Sequence, residues 1–287
     1  MIRLFCAAML ACMMVVCPAQ AEIEKIPLEA KGGTPPVEAC FLSDTVYEDE
    51  SMRVEIEEHQ VDATRCVVAR VKIADPSQLR SAPAFSFTRQ QTEMTKKIAR
   101  KVNAVLAING DYYSYGNKGY MVRQGELYRD KPYGDRDVLL IDENGDFYIV
   151  PKATHETLAP YKDMPIVNTF NFGPGLVIDG VVLTGYPREF NAGDTKSQRS
   201  CIAQVKRGEL EYVLVSAEGP MESKGGGMTM DEFAAFVATL GVENAYNLDG
   251  GNSASMIFHD KKQNAVKNQH ERLISDIIYF ASAVKPQ

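Results

Sequence analysis

Short apolar or β-branched runs, each stopped by tight-turn residues, recur along most of this chain, and that punctuation decides what it can fold into. Met52-Arg53-Val54-Glu55-Ile56-Glu57 alternates, and Arg65–Ile73 is β-branched; the two read as an antiparallel pair joined by the polar stretch His59–Thr64, with Asp75-Pro76 as a break. Asp137–Ile141 and Phe147–Val150 flank Glu143-Asn144-Gly145 as a hairpin. Asp179-Gly180 separates Gly175–Ile178 from Val181–Leu183, and Arg207-Gly208 separates Arg199–Val205 from Leu210–Val215. Ala104–Ile108, Asn244–Leu248, Ser253–Phe258 and Asp276–Ala281 are further strand patterns. Only two segments read as substantial helices. Thr88–Val102 has a capping box at Thr88 and Gln91 and cations at its end, and Thr229–Leu240 has one at Thr229 and Glu232, with a stripe of Phe233, Phe236, Val237 and Leu240. Strands outnumber helices and are joined tightly, so the expected class is α+β: mixed, largely antiparallel sheets with a few packed helices in a single domain.

The first residues stand apart from this pattern. Arg3 precedes the uncharged apolar run Leu4–Cys17, and Ala19-Gln20-Ala21 follows as a small-residue cleavage site. Residues 1–21 read as a secretory signal peptide removed near Ala21, which predicts a secreted or periplasmic protein. Residues 22–44 are expected to be a leader, loose over 22–37 with its Gly-Gly and Pro-Pro, and 45–283 the folded domain. No other stretch approaches the length of a membrane span. Cleavage leaves Cys40, Cys66 and Cys201. In an oxidising compartment one disulfide is expected, Cys40 with Cys66, and Cys201 sits in an apolar strand pattern as a core thiol.

The 287 residues carry a formal net charge of -7. Nucleic-acid binding draws on cationic surface, so a nucleic-acid partner is disfavoured. The sequence holds no H-E-x-x-H, no C-x-x-C pair, no G-x-S-x-G elbow and no EF-hand loop, and His59, His155, His259 and His270 are isolated. Carboxylates, arginines, amides and backbone donors remain as the tools for chemistry.

Three strand ends finish in polar residues and glycine. In Ala107–Tyr113, Asn109 and Asp111 leave the same face of a strand, and Gly110 between them permits a bend or a close approach; a plain Asn-Gly turn would use the same residues. Asn247–Ser253 carries Asp249, Gly250, Gly251, Asn252 and Ser253, where adjacent glycines can turn backbone N–H groups toward an anion. Glu218–Thr229 brings Lys224 and Gly225-Gly226-Gly227 to the start of the second helix, where unpaired N–H groups favour phosphate or carboxylate. Tyr112, Tyr113, Tyr115 and Tyr120 cluster beside the first of these, and their flat faces suit sugar rings.

Taken in order, AINGDYY, GPGLVIDG, RSCIAQ, EGPMESKGGGMTMDEFAAFVATLG, NAYNLDGGNSASM and Asn268 with Glu271-Arg272 resemble the phosphodiester glycosidases, over roughly residues 45–283. That family includes the catalytic domain of N-acetylglucosamine-1-phosphodiester α-N-acetylglucosaminidase and secreted bacterial relatives described as exopolysaccharide-related. The resemblance implies hydrolysis of the bond between a sugar's anomeric carbon and a phosphodiester. It places family polar positions on Asn109, Asp111, Arg199, Glu218, Asp249, Gly250, Gly251, Ser253 and Arg272.

The expected division of labour follows from the chemistry. Asp249 and Glu218 are the candidate carboxylate pair, with Asp111 third. Arg199 and Arg272 are candidate anion clamps, since a guanidinium fork matches phosphate oxygens, with Lys224, Gly227 and Thr229 assisting. No resident cofactor is called for, although Asp111, Glu218, Asp249 and Asn252 are hard oxygen ligands that would suit Ca²⁺ or Mg²⁺ in a rival mechanism. Two other readings use the same residues: a non-catalytic envelope polysaccharide-binding protein, and a carboxylate-pair hydrolase of ordinary glycosidic bonds.

Overall fold

The structure, a computed structural model, describes residues 22–189, 191–219, 226–266 and 270–285. Two antiparallel sheets face each other across the main core. The larger runs, in spatial order, Val46–Glu48, Met52–Val61, Thr64–Ile73, Glu211–Ala217, Arg199–Gln204, Asn244–Leu248, Gly175–Ile178 and Val181–Val182. The smaller runs Lys261–Lys262, Met256–Phe258, Ala104–Asn109, Asp276–Ala281 and Leu79–Pro83. A three-stranded sheet (Ile166–Phe170, Val138–Asp142, Phe147–Val150) closes one side, and Gly119–Arg123 pairs with Glu126–Lys131 as a hairpin. The class is α+β in a single domain, as the turn punctuation implies.

Strand alternation sorts the apolar residues by layer. Val54, Val67, Val71 and Leu214 of the large sheet meet Leu106, Ile108, Phe258 and Ile278 of the smaller one, with Leu139, Ile141 and Phe147 from the third. On the outer face of the large sheet, Val68, Val213, Val215 and Ala245 pack under Phe233, Phe236 and Val237 of the helix Met230–Ala238. On the outer face of the smaller sheet, Ile277 and Tyr279 pack under Ile98 of the helix Thr95–Lys101. Helices thus cover both outer faces of a two-sheet core, which is why the central strands of both sheets are buried from end to end.

Several expectations are corrected. The first helix begins at Thr95 rather than Thr88, because Glu93 is drawn into a two-way backbone pairing with Ile274 and the Thr88 hydroxyl sits 2.9 Å from Ser86 Oγ. Strand pairing from Met52 runs on to Val61, so the turn is confined to Asp62-Ala63. Residues 22–37 are docked rather than loose. Ile23 and Thr34 bridge Val284 and Ser282, Ile26 is buried, and the wholly buried Arg80 donates to the carbonyls of Ile26, Pro27, Leu28 and Ala30.

Cys40, Cys66 and Cys201 are all free thiols, so the expected Cys40–Cys66 bridge is not formed. Cys66 points to the helix-covered face of the large sheet, whereas Cys40 packs against the core on the opposite face. Burial pushes the Cys66 thiol up to about 12, with the Glu218 charge adding to it, and burial raises Cys201 as well. Neither is a ready nucleophile.

Candidate active site

Antiparallel pairing gathers strand ends at one edge of both sheets. The first residue of Arg199–Gln204 lies opposite Ala217, and Ser200 lies opposite Leu248, so Arg199, Glu218 and Asp249 emerge together. In the smaller sheet Ile277 lies opposite Asn109, which brings Gly110, Asp111 and Asp276 to the same edge. The two sets are tied directly. Asn109 Nδ2 donates to the Asp249 carbonyl at 2.7 Å, Asp249 N–H reaches Gly110 O at 3.4 Å, and Asn109 Oδ1 accepts from Ser255 N–H at 3.1 Å. Asn109 is therefore the joint between the segments, with its polar atoms spent on backbone.

Asp111 is almost fully buried. Its oxygens accept from Tyr113 N–H at 3.1 Å, Asn171 N–H at 2.8 Å and Arg123 Nη2 at 3.1 Å. The same Arg123 nitrogen donates to Asp276 Oδ2 at 3.0 Å. Arg123 has no exposed surface; its Nη1 donates to the carbonyls of Val122 and Thr169, its Nε has no partner, and its guanidinium lies over the Phe170 ring at 4.4 Å.

Asp249 is half-buried at the end of Asn244–Leu248. Burial raises its carboxyl above the ordinary range and the Asp111 charge adds to this, while the Ser253 hydroxyl, Arg272 and the Gly250 N–H hold the rise down. Arg272 is exposed and donates to Ser253 Oγ at 3.3 Å. Gly250 is required by close approach: a Cβ there would meet Gln198 O at 2.6 Å. Gly251 N–H is taken by the same carbonyl at 3.0 Å. Neither glycine presents the free anion cradle that the sequence suggests.

The other expected residues divide. Glu218 faces Arg65 Nη1 at 2.5 Å and Ala265 N–H at 2.8 Å, so its Oε1 is already engaged. Arg199 is not directed at a ligand. Its guanidinium donates to the carbonyls of Met228, Asn191, Ala192 and Thr195 at 2.8–3.1 Å, and burial without a counter-ion pulls it down to about 10. At the second helix three of the donors expected to hold an anion are taken: Thr229 Oγ1 accepts from Glu232 N–H, Thr229 N–H goes to Glu232 Oε2, and Met230 N–H goes to Gly193 O. Gly227 O accepts from the Thr64 hydroxyl. Lys224 lies outside the described residues, as does Asn268. Among the described residues no group of three or more His, Cys, Asp and Glu side chains is arranged to hold a metal ion.

Cations that sequence reasoning passed over stand beside Asp111 instead. A concave surface is lined by Asp111, Tyr112, Lys118, Arg129, Tyr133, Arg136, Asn171 and Phe172. Arg136 Nη1 donates to the Tyr112 hydroxyl at 2.6 Å and lies over the Tyr133 ring at 4.5 Å. Arg129 is held by the carbonyls of Tyr113 and Lys118. Arg123 and Asp276 were also missed. The available signal was an acid heading the apolar run Asp276–Ala281, the same pattern that drew attention to Arg199.

The fold has solved counterparts. The catalytic domain of zebrafish N-acetylglucosamine-1-phosphodiester α-N-acetylglucosaminidase, in a form auto-inhibited by its pro-peptide, matches with a TM-score of 0.63 at 18% identity, covering 87% of this chain and 86% of that one. A hypothetical protein from Synechocystis matches with a TM-score of 0.52 at 17% identity over 83% of this chain and 64% of its own. A putative exported protein from Burkholderia pseudomallei matches with 0.51 at 15% identity over 76% and 74%. In sequence, the SPbeta prophage-derived protein YomE of Bacillus subtilis is 24% identical over 216 residues, which is 68% of this chain and 30% of that protein's length. The family model for phosphodiester glycosidases matches residues 102–281. The chain belongs to the phosphodiester glycosidase family.

Proposed function

We propose that this protein is a secreted hydrolase that cleaves the anomeric sugar–phosphate bond of a glycan 1-phosphodiester, with an N-acetylglucosamine-type sugar as the first candidate. The family supports the reaction class, and the apolar run Leu4–Cys17 with Ala19-Gln20-Ala21 supports export with cleavage near Ala21. Among the described residues no helix is long and apolar enough to cross a membrane.

The observation that carries the reading is the placing of Asp249. Its carboxyl is raised by burial, it stands beside Arg272, and Asn109 ties it to the Asp111 segment. A carboxyl raised in this way holds its proton to a higher pH than an ordinary aspartic acid and can exchange it with water or with a leaving oxygen. Asp111, held beside it by three hydrogen bonds, can stabilise an oxocarbenium-like centre. The phosphodiester is assigned to Arg136, Arg129 and Lys118, and the sugar to the faces of Tyr112 and Tyr133. This keeps a cationic pocket on an acidic molecule: at physiological salt the field of distant charges is screened within about 8 Å. Glu218 is the supporting carboxylate, joined to Arg65.

The test is turnover of sugar 1-phosphodiesters by the wild type and by Asp249→Asn and Glu218→Gln, with nitrophenyl glycosides in parallel. Release of sugar from the phosphodiester, lost in Asp249→Asn, is the expected result. Binding of the glycan without turnover would mark a polysaccharide-binding protein, and turnover of the nitrophenyl glycosides alone an ordinary glycosidase. Loss of activity with EDTA, restored by Ca²⁺ or Mg²⁺, would move the acids into a metal mechanism.

A further inference from the structure

Asp276 belongs to no role so far assigned. We propose that Asp276 is carried as an uncharged carboxylic acid and acts as a positioning residue, leaving the charge of Arg123 to Asp111 so that Asp111 stays an anion at the edge of the cleft. The part of this that concerns catalysis rests on the reading of Asp111 as a working carboxylate; the protonation of Asp276 does not.

Two carboxylates share one guanidinium nitrogen, at 3.0 and 3.1 Å, where Arg123 and Asp276 are wholly buried and Asp111 is nearly so, reaching the surface only at the cleft. Were both acids ionised, the trio would carry a net negative charge in a dry interior, which is costly. One proton removes that charge, and the donors decide where it sits. Asp111 accepts three hydrogen bonds spread over both of its oxygens, two of them from backbone N–H groups, an arrangement that favours the ionised form. Asp276 accepts from Arg123 alone, and its Oδ1 has no partner. The proton belongs on Asp276.

The neighbours agree. Oδ1 lies against Gly110, where a Cβ would come within 2.5 Å of it, so this glycine is what admits the carboxyl. The charged or titratable groups around Asp276 are Asp111, Arg123, Asp249 and the Tyr113 phenol, and its strand partner on the other side is Pro83. Burial pushes the Asp276 carboxyl well above the carboxylate range, with Asp111 and Asp249 adding and Arg123 opposing. Arg123 cannot swing away to another partner, being fixed by the Val122 and Thr169 carbonyls and by Phe170.

Infrared difference spectra of the full chain at neutral pH test the assignment without any substrate. The wild type should show the carbonyl stretch of a buried carboxylic acid, retained in Asp249→Asn and lost in Asp276→Asn. In Asp111→Asn, Arg123 has no other counter-ion, so Asp276 should ionise and the band should vanish there too; this variant serves if Asp276→Asn does not fold. A wild type without the band, or a band that, with Asp249→Asn already in place, survives both Asp276→Asn and Asp111→Asn, overturns the proposal. Kinetics supply the second arm. Asp276→Asn, an uncharged acceptor for Arg123, should keep about tenfold more kcat than Asp276→Leu, with KM similar in the two. Equal kcat in both variants would also overturn the positioning role. An absence of turnover by the wild type would instead defeat the phosphodiester reading and leave the spectroscopic result standing.

Discussion

Asp111 and Asp276 accept hydrogen bonds from the same nitrogen of Arg123, so the geometry of one acid cannot change without the other. Gly110 lies between them in the packing. In Gly110→Ala the new methyl carbon would fall 2.5 Å from Asp276 Oδ1. Overpacking of this kind costs about 1–3 kcal/mol. We expect a lower urea midpoint and loss of most activity, read by denaturation and by phosphodiester turnover on the same preparation; an unaltered midpoint would contradict the tight packing.

Asp249 trades stability for chemistry. Its carboxyl is raised in the folded protein, by burial first, so the folded state holds this proton more tightly than the unfolded chain. Its contribution is fully favourable below the unfolded value near 3.9 and is lost as pH rises through the higher folded value. Asp249→Asn removes that loss. The variant should melt higher than wild type at neutral pH, the gap should close in acid, and turnover should fall about 10²–10⁴-fold. Thermal melts across pH, with kinetics, check both halves.

Arg199 should behave as a structural residue. Four backbone carbonyls depend on its guanidinium, and Arg199→Ala would leave them unpaired in a buried site. Loss of about 2–4 kcal/mol is expected from hydrogen bonds made by a charged donor. Equilibrium unfolding measures it. An unchanged stability with a raised KM would return Arg199 to the role of anion clamp.

Arg136 should show the opposite pattern. It is partly exposed, stacked on Tyr133 and bonded to Tyr112, so Arg136→Ala removes a cation from the concave surface with little loss of core. KM for a phosphodiester should rise about tenfold, equivalent to about 1.4 kcal/mol, with kcat near wild type. Steady-state kinetics at two salt concentrations decide it, since the wild-type advantage should shrink as salt rises.

Legibility differed between elements for physical reasons. Asn244–Leu248 and Asp276–Ala281 are recovered with their ends in place, because each is a short, mostly apolar stretch set between breakers. The cap of the second helix was equally plain, since Thr229 and Glu232 complete it within four residues. Leu79–Pro83 was missed. Arg80 inside it looks wrong for a buried strand, and only the docked carbonyls of residues 26–30 explain how its charge is accommodated. The hairpin of Gly119–Arg123 and Glu126–Lys131 was missed for a related reason: its outer strand is largely exposed and Arg123 finds its partners far along the chain.

Local chemistry along the chain determined the class of fold, the turns, the helix cap and the segments 109–111 and 249–253 as places of interest, because each is specified by neighbours a few residues apart. Tertiary structure alone decided what those polar groups do. It turned Arg199 inward to four carbonyls, separated Cys40 from Cys66 across a sheet, and set Arg123 between Asp111 and Asp276. A side chain's charge and hydrogen-bond partners depend on which distant strand ends meet it and on how much water they exclude, and sequence spacing carries neither quantity.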